Sequence, residues 1–345
     1  MIKRLFRKVR PTIGIDIGTN YTKAIELRGK SAKPHLVSFQ RIDTPSELDS
    51  DGQISNLAGL VERLADTVQK NGWEGREVVT AVGGRNIIIR HLKFPPMAKA
   101  ELEQVINFEK ERYIPFNNQE VVVDYLDLGP LKDEQGQHLV LLAALLKETA
   151  LTYHNIFETA GLDLVAIDLI PLALQRSLDL YEQPGVTAVA DIGAVTTTFF
   201  VIKDKMVNFT RTTATAGNGF NKILTGSPIG EITADGELVV RKENIAESLD
   251  SSKPEQNMQE SLREQVREIT RSFDFWRTQS QGKNVSKLLL TGGIANLKGI
   301  TGFLSQELGL KVEIGQPLPG LANRDLQFGP EFALAAGLAL RGVVA

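Results

Sequence analysis

The sequence predicts an α/β fold made of two similar halves that face each other across a cleft. Two observations carry this reading. In Ile13-Gly14-Ile15-Asp16-Ile17-Gly18-Thr19-Asn20-Tyr21-Thr22-Lys23, and again in Ala188-Val189-Ala190-Asp191-Ile192-Gly193-Ala194-Val195-Thr196-Thr197, an apolar strand ends in Asp-Ile-Gly and a Thr-bearing strand follows. Each describes a β-hairpin with its tight turn at the glycine. A third apolar run, Leu288-Leu289-Leu290-Thr291, ends in Gly292-Gly293-Ile294-Ala295-Asn296. Gly18 and Gly193 can take positive φ and leave backbone N–H groups open to an anion. Two such hairpins, face to face, would clamp a phosphate chain.

Taken in order, residues 1–11 are a basic leader bearing Lys3, Arg4, Arg7, Lys8 and Arg10. It lacks the apolar core and small-residue cleavage site of a signal peptide. It reads as a weak contact with an anionic membrane surface or as a solvated tail. Residues 11–27 read as two strands and 36–41 as a third. Over 55–71, Leu57, Leu60, Val61, Leu64 and Val68 recur with the helical period, and Asn71-Gly72 ends the helix. Residues 78–82 read as a buried strand. Next come a strand over 86–94, a break at Pro95-Pro96, and a helix over 99–111 with Leu102, Val105, Ile106 and Phe108 on one side. Strands over 121–128 and 139–145 flank a polar turn at 132–136, and a helix over 148–160 is stopped by Gly161. After the second hairpin, 207–213 reads as a strand and Gly217-Asn218-Gly219-Phe220 starts a short helix. Residues 227–258 are polar and make little core. A helix over 260–276 carries Leu262, Val266, Ile269, Phe273 and Trp276 at helical spacing and leads into the Gly292-Gly293 loop.

Composition narrows the function. At 345 residues and 42% hydrophobic content, the chain can build about two domains with proper cores. A formal net charge of −3 supplies no global field for nucleic acid. Cys is absent, which removes disulfides, thiolate metal sites and cysteine nucleophiles and fits a reducing compartment. His35, His91, His138 and His154 have no ligand spacing. No apolar run approaches the length of a membrane span, so a cytoplasmic address is expected.

In order and spacing, these pieces resemble the actin-like ATPase superfamily, which duplicates a ribonuclease H-like unit. Residues 13–27 look like its first phosphate loop, 188–202 like its second and 288–311 like its adenosine loop. Glu331-Phe332-Ala333-Leu334-Ala335-Ala336-Gly337-Leu338-Ala339 is similar to the small-residue helix that closes the second half. The implied organisation is a first half over 12–87 and 166–186, an inserted small subdomain over 88–165, and a second half over 187–345 with a small insertion at about 227–258. The inserted module resembles that of the FtsA and PilM families. Within it, Tyr113-Ile114-Pro115-Phe116 followed by Glu120-Val121-Val122-Val123-Asp124-Tyr125 looks like the PilM pattern. The chain ends at Ala345 without the long linker and amphipathic helix of FtsA. The resemblance, over 12–342, is therefore to the PilM family of type IV pilus assembly, or its equivalent in type II secretion.

That resemblance implies ATP and Mg²⁺. Asp16 and Asp191, one per half, would hold the metal largely through its water shell. Gly18, Thr19, Asn20 and Tyr21, with Lys23 as a point charge, would take the β- and γ-phosphates. Gly193, Ala194, Val195 and Thr196 would do the same from the second half. Gly292 and Gly293 would admit the adenine and α-phosphate, with Asn296 opening the following helix. Glu264, Glu268 and Arg271 either reach the ribose and purine or form a solvated ion-pair row. For hydrolysis, Gln175 positions the water if the helix aligns with actin, whereas Ile170 stands there if it aligns with the chaperones. ATP turnover is therefore expected to be weak.

The implied partner is the N-terminal cytoplasmic peptide of a PilN-like bitopic membrane protein, alongside other components of the assembly platform. The protein would then lie peripheral to the inner membrane through that partner. Ile87, Ile89, Leu92, Phe108, Tyr113, Ile114 and Val122 either line the peptide groove or form the module's own core. The competing readings are a small-molecule kinase of the same fold, with Asp191 or a neighbour activating a hydroxyl, and an FtsA- or MreB-like filament protein.

Overall fold

The computed structural model describes residues 13–30, 33–45, 54–114, 119–131, 137–181, 185–214, 230–232, 238–240, 254–318 and 328–341. The chain first runs β1 (Ile13–Ile17), β2 (Tyr21–Lys30), β3 (Lys33–Asp43), α1 (Leu57–Asn71), β4 (Glu77–Ala81) and β5 (Ile87–Phe94). It continues through α2 (Lys99–Tyr113), β6 (Val121–Pro130), β7 (His138–Leu146), α3 (Lys147–Thr159), β8 (Asp163–Asp168) and α4 (Ile170–Ser177). There follow β9 (Val186–Ile192), β10 (Thr196–Lys203), β11 (Met206–Ala214), β12 (Gly230–Ile232), β13 (Leu238–Val240) and α5 (Pro254–Gln279). The last elements are β14 (Lys287–Thr291), α6 (Ile300–Leu308), β15 (Val312–Ile314) and α7 (Ala333–Ala339). The basic leader, the helix expected at 217–220 and most of 227–258 lie outside the described residues.

Two sheets repeat one topology. The first has the order β3-β2-β1-β4-β8, an antiparallel meander extended by parallel strands, and the second has β11-β10-β9-β14-β15 with the same senses. Each parallel strand needs a crossover, which is why a helix precedes β4, β8 and β14. In α1, Leu60, Leu64 and Val68 are buried at helical spacing, each worth about 1.5–3 kcal/mol in apolar transfer. Asn56 caps its start by accepting from the Gly59 N–H, and Gly72, at φ 64°, ends it.

Beside this helix, Glu26 is a buried carboxylate on β2. It accepts from Trp73 Nε1 at 2.9 Å, Arg76 at 2.9 Å and Arg28 at 2.7 Å. Burial alone would raise its pKa, but these donors outweigh that and hold it below the ordinary value.

The inserted module is a three-stranded sheet, β5-β7-β6, with α2 on one face. Its other face, bearing Leu141, Ala143 and Leu145, joins the core of the first half. Two expectations change here. Helix α3, read as part of the module, buries Ala150, Tyr153, Ile156 and Phe157 in the core with Leu64 and Val68 of α1. Phe108 does not share the buried side of α2: Leu102 and Ile106 are 1% and 3% exposed, whereas Phe108 is 90% exposed. Its position, two residues after Ile106, turns it about 200° around the helix.

Helices α4 and α7 cross over between the sheets. α4 follows β8 of the first sheet yet contacts β10 and β11 of the second, whereas α7, expected to close the second half, packs on β1, β2 and β4 of the first. The two helices also pack on each other. Small residues make this approach possible: a Cβ on Gly337 would lie 1.8 Å from the Ala173 carbonyl oxygen, and one on Gly14 would lie 2.1 Å from that of Ala335. Arg176 and Arg341 both pair with buried Asp168 and lock the crossing, while Arg176 Nε donates to the Gly337 carbonyl at 3.0 Å.

Candidate functional site

The site lies where the two duplicated hairpins end. On β1, Asp16 stands in register with Lys23 of β2, and Lys23 Nζ donates to Asp16 Oδ2 at 3.0 Å. At the equivalent end of β9, Asp191 stands in register with Thr291 of β14, whose Oγ1 donates to Asp191 Oδ1 at 2.9 Å. Burial, then the negative charge of Asp16, pushes the Asp191 carboxyl up to about 6, against the Thr291 hydrogen bond and the Lys23 charge. The site thus gathers Asp16, Lys23 and Asp191, as the sequence suggests, and adds Thr291. Thr291 stands within the quoted loop motif, but its pairing with a residue 100 positions away is a matter of parallel register.

Glycine matters in the turns for a reason other than the one expected. Neither Gly18 nor Gly193 has positive φ. Each uses its own N–H inside the turn, Gly18 to the Tyr21 carbonyl at 3.2 Å and Gly193 to that of Thr196 at 2.9 Å. What they supply is space, since a Cβ on Gly18 would lie 2.7 Å from the Tyr21 carbonyl oxygen. The N–H groups of Asn20, Ala194 and Val195 have no backbone acceptor among the described residues and remain as donors. Gly292 is the position that does need left-handed backbone. Its φ is 84°, and a Cβ there would lie 2.4 Å from the Ile192 carbonyl oxygen and 3.0 Å from Asp191 Oδ1.

Other expected residues fall elsewhere. Gly293 begins a 3-10 turn, Gly293–Asn296, so Asn296 does not open α6; it donates to Glu331 at 2.7 Å. Helix α5 covers the face of the second sheet that bears Ala188, Ala190 and Ile192, opposite the face of Asp191. On that helix Glu268 pairs with Arg211 at 3.0 Å and with Arg271, which is the ion-pair row of the alternative reading; Glu264 is half-buried beside it.

Gln175 is not in the cleft. It is 4% exposed, and its Nε2 donates to the Lys205 carbonyl at 2.8 Å. Lys205 follows the far end of β10, about 23 Å along the strand from the Thr196 turn. Ile170, by contrast, lies near Gly83 after β4, with Cδ1 3.4 Å from where a Gly83 Cβ would be. Of the two residues, it is Ile170, the one named by the chaperone-like alignment, that stands beside the turn after β4.

The residues expected in a peptide groove divide three ways. Leu92, Tyr113 and Ile114 pack in the core under α2, Ile87, Ile89 and Val122 pack against the first half, and Phe108 stands in solvent.

A duplicated meander-plus-parallel sheet, crossed helices and paired Asp-Ile-Gly turns define this chain as an actin-like ATPase fold. A family model described as type IV pilus assembly protein PilM matches residues 14–343, and the chain belongs to that family. Among solved structures it is similar to the "PilM-PilN type IV pilus biogenesis complex", with 28% identity over 98% of this chain and 100% of that one, and a TM-score of 0.77. Weaker likenesses are to ethanolamine utilization protein EutJ from Carboxydothermus hydrogenoformans, at 17% identity over 98% and 93% of the two chains with a TM-score of 0.49. MreB5 of Spiroplasma citri bound to ADP follows at 12% identity over 96% and 95%, with a TM-score of 0.47.

Proposed function

We propose that this protein is an ATP-binding cytoplasmic scaffold of the type IV pilus assembly platform, holding the N-terminal peptide of a PilN-like membrane protein. The observation that carries the nucleotide reading is the convergence of Asp16–Lys23 and Asp191–Thr291 at matching strand ends beside the open backbone of Gly292. The donor set fits Mg-ATP. Burial and then the Asp16 charge, which together push Asp191 up to about 6, mark two hard carboxylates whose negative charge a dication would neutralise. Asn20, Ala194 and Val195 would offer N–H groups to a phosphate chain, and Lys23 would add its charge. With Ile170 where a water would need orientation, binding predominates over turnover.

Family membership and the likeness to a PilM–PilN complex support the partner. Among the described residues no helix is long and apolar enough to cross a membrane, so attachment to the inner membrane would run through that partner. Among the described residues of the module, Phe108 is an exposed apolar anchor on α2, and Leu102 and Ile106 hold that helix in place from its buried side. The test has two arms. Mg-ATP at about 100 times Kd should raise unfolding free energy by about 2.7 kcal/mol, and Asp16→Ala should abolish the rise. A synthetic N-terminal peptide of the PilN-like protein from the same organism should bind the full chain; absence of either effect removes the corresponding half of the proposal.

A further inference from the structure

Asp16, Lys23 and Arg41 stand in one register row across three strands. Asp16 is opposite Lys23 in the β1–β2 ladder, and Lys23 is opposite Arg41 in the β2–β3 ladder. Directly opposed residues project to the same face of a sheet. A carboxylate, an ammonium and a guanidinium are therefore side by side on the cleft face. Asp16 takes the Lys23 ammonium. Arg41 is exposed, has no carboxylate partner among the described residues, and rests its guanidinium over the Tyr21 ring, 4.7 Å from the centroid. Tyr21 is its diagonal neighbour on the turn side, so the arginine leans toward residues 18–20.

Like charges directly opposite one another destabilise a ladder. Lys23 beside Arg41 is such a pair, and an anion bound between them would reverse the sign of its cost. The order of groups along the cleft says which part of a ligand that anion is. A Cβ on Gly292 would lie 3.0 Å from Asp191 Oδ1, Asp191 feels the charges of Asp16 and Lys23, and Lys23 adjoins Arg41. Arg41 is thus the cation farthest along this series from the adenosine loop. We infer that Arg41 is a second phosphate-binding cation that contacts the terminal phosphate and so distinguishes nucleoside triphosphate from diphosphate. Its planar fork suits a bidentate grip on phosphate, and its cation–π rest on Tyr21 holds it ready beside the turn. This inference rests on the Mg-ATP reading of the cleft.

Calorimetric titration of the full chain with Mg-ATP and with Mg-ADP tests it, using wild type, Arg41→Gln and Arg41→Lys. Matching unfolding midpoints without nucleotide establish that the variants are folded, as an exposed position requires. Arg41→Gln should weaken Mg-ATP by about tenfold or more, the scale of a charged hydrogen bond, and leave Mg-ADP within about twofold. Arg41→Lys, which keeps the charge but loses the fork, should fall between. An unchanged ATP-to-ADP preference in Arg41→Gln, or an equal loss for both nucleotides, overturns the assignment while leaving the cleft reading intact. Wild-type protein that binds neither nucleotide overturns both.

Discussion

Gly292 and Gln175 show how much one side chain's surroundings decide. At Gly292 a methyl group meets the Ile192 carbonyl at 2.4 Å on a backbone of φ 84°, so even alanine is strained twice over. Gly292→Ala should cost on the order of 1–3 kcal/mol and, because the displaced loop borders Asp191, remove the Mg-ATP-induced shift in thermal unfolding. Retention of the full shift would place the adenosine loop elsewhere. Gln175 presents the opposite case, a polar residue with an inviting place in the sequence and a structural use. Gln175→Ala removes the hydrogen bond to the Lys205 carbonyl and should lower unfolding free energy by about 0.5–1.5 kcal/mol in denaturant titration. Any slow ATP hydrolysis should persist in the folded variant; a rate that collapses with unchanged ATP affinity would return Gln175 to the catalytic role.

Between elements, the sequence is legible where local pattern decides and silent where packing partners decide. The helical period of Leu60, Leu64 and Val68 and the two Asp-Ile-Gly hairpins can be read because periodicity and turn chemistry are local. That α3 leaves the module for α1, that α7 crosses to the first sheet, and that Phe108 faces water are choices among apolar surfaces far apart in sequence. The Gly337–Ala173 crossing is one such choice. Gly337→Val should lower unfolding free energy by several kcal/mol or prevent folding, since the obstacle is a backbone carbonyl; an unaffected melting temperature would show that α4 and α7 do not cross this closely. Glu26 ties β2 to the segment after α1 and supplies a pH signature. Its folded pKa lies below its unfolded value, so its contribution is present above the ordinary carboxylate range and is lost as pH falls through the lower folded value. Glu26→Gln should destabilise by on the order of 1–3 kcal/mol at neutral pH and make the acid limb of the stability profile shallower. A parallel downward shift at every pH would assign the loss to packing.

At the scale of the whole molecule, the inserted module touches both halves, and this determines how a nucleotide could affect a partner. Strand β5 packs on β11 of the second sheet, where His91 Nε2–H donates to the Val207 carbonyl at 2.9 Å, and the same face of the module, through Leu141, Ala143 and Leu145, joins the first-half core. Burial lowers His91 to about 4, against the pull of that carbonyl, so the ring is neutral near pH 7. Between about 4 and 6.5 the unfolded chain binds more protons, and stability is lost as pH falls through that window. Any closure of the cleft moves the second sheet relative to the first, and it must either carry β5 along or slide it past β11. A peptide seated on the module then feels the nucleotide state, and by reciprocity changes ATP affinity by the same factor. Titrating the PilN-like peptide into wild type at zero and saturating Mg-ATP should give affinities differing about fivefold or more, the lower end of ordinary coupling. His91→Ala should bring that ratio toward one while leaving peptide affinity without nucleotide within about twofold, because the contact it removes is to β11 and not to the exposed face of α2. Equal affinities in wild type would exclude coupling through the module, and an undiminished ratio in His91→Ala would route it through the α4–α7 crossing instead.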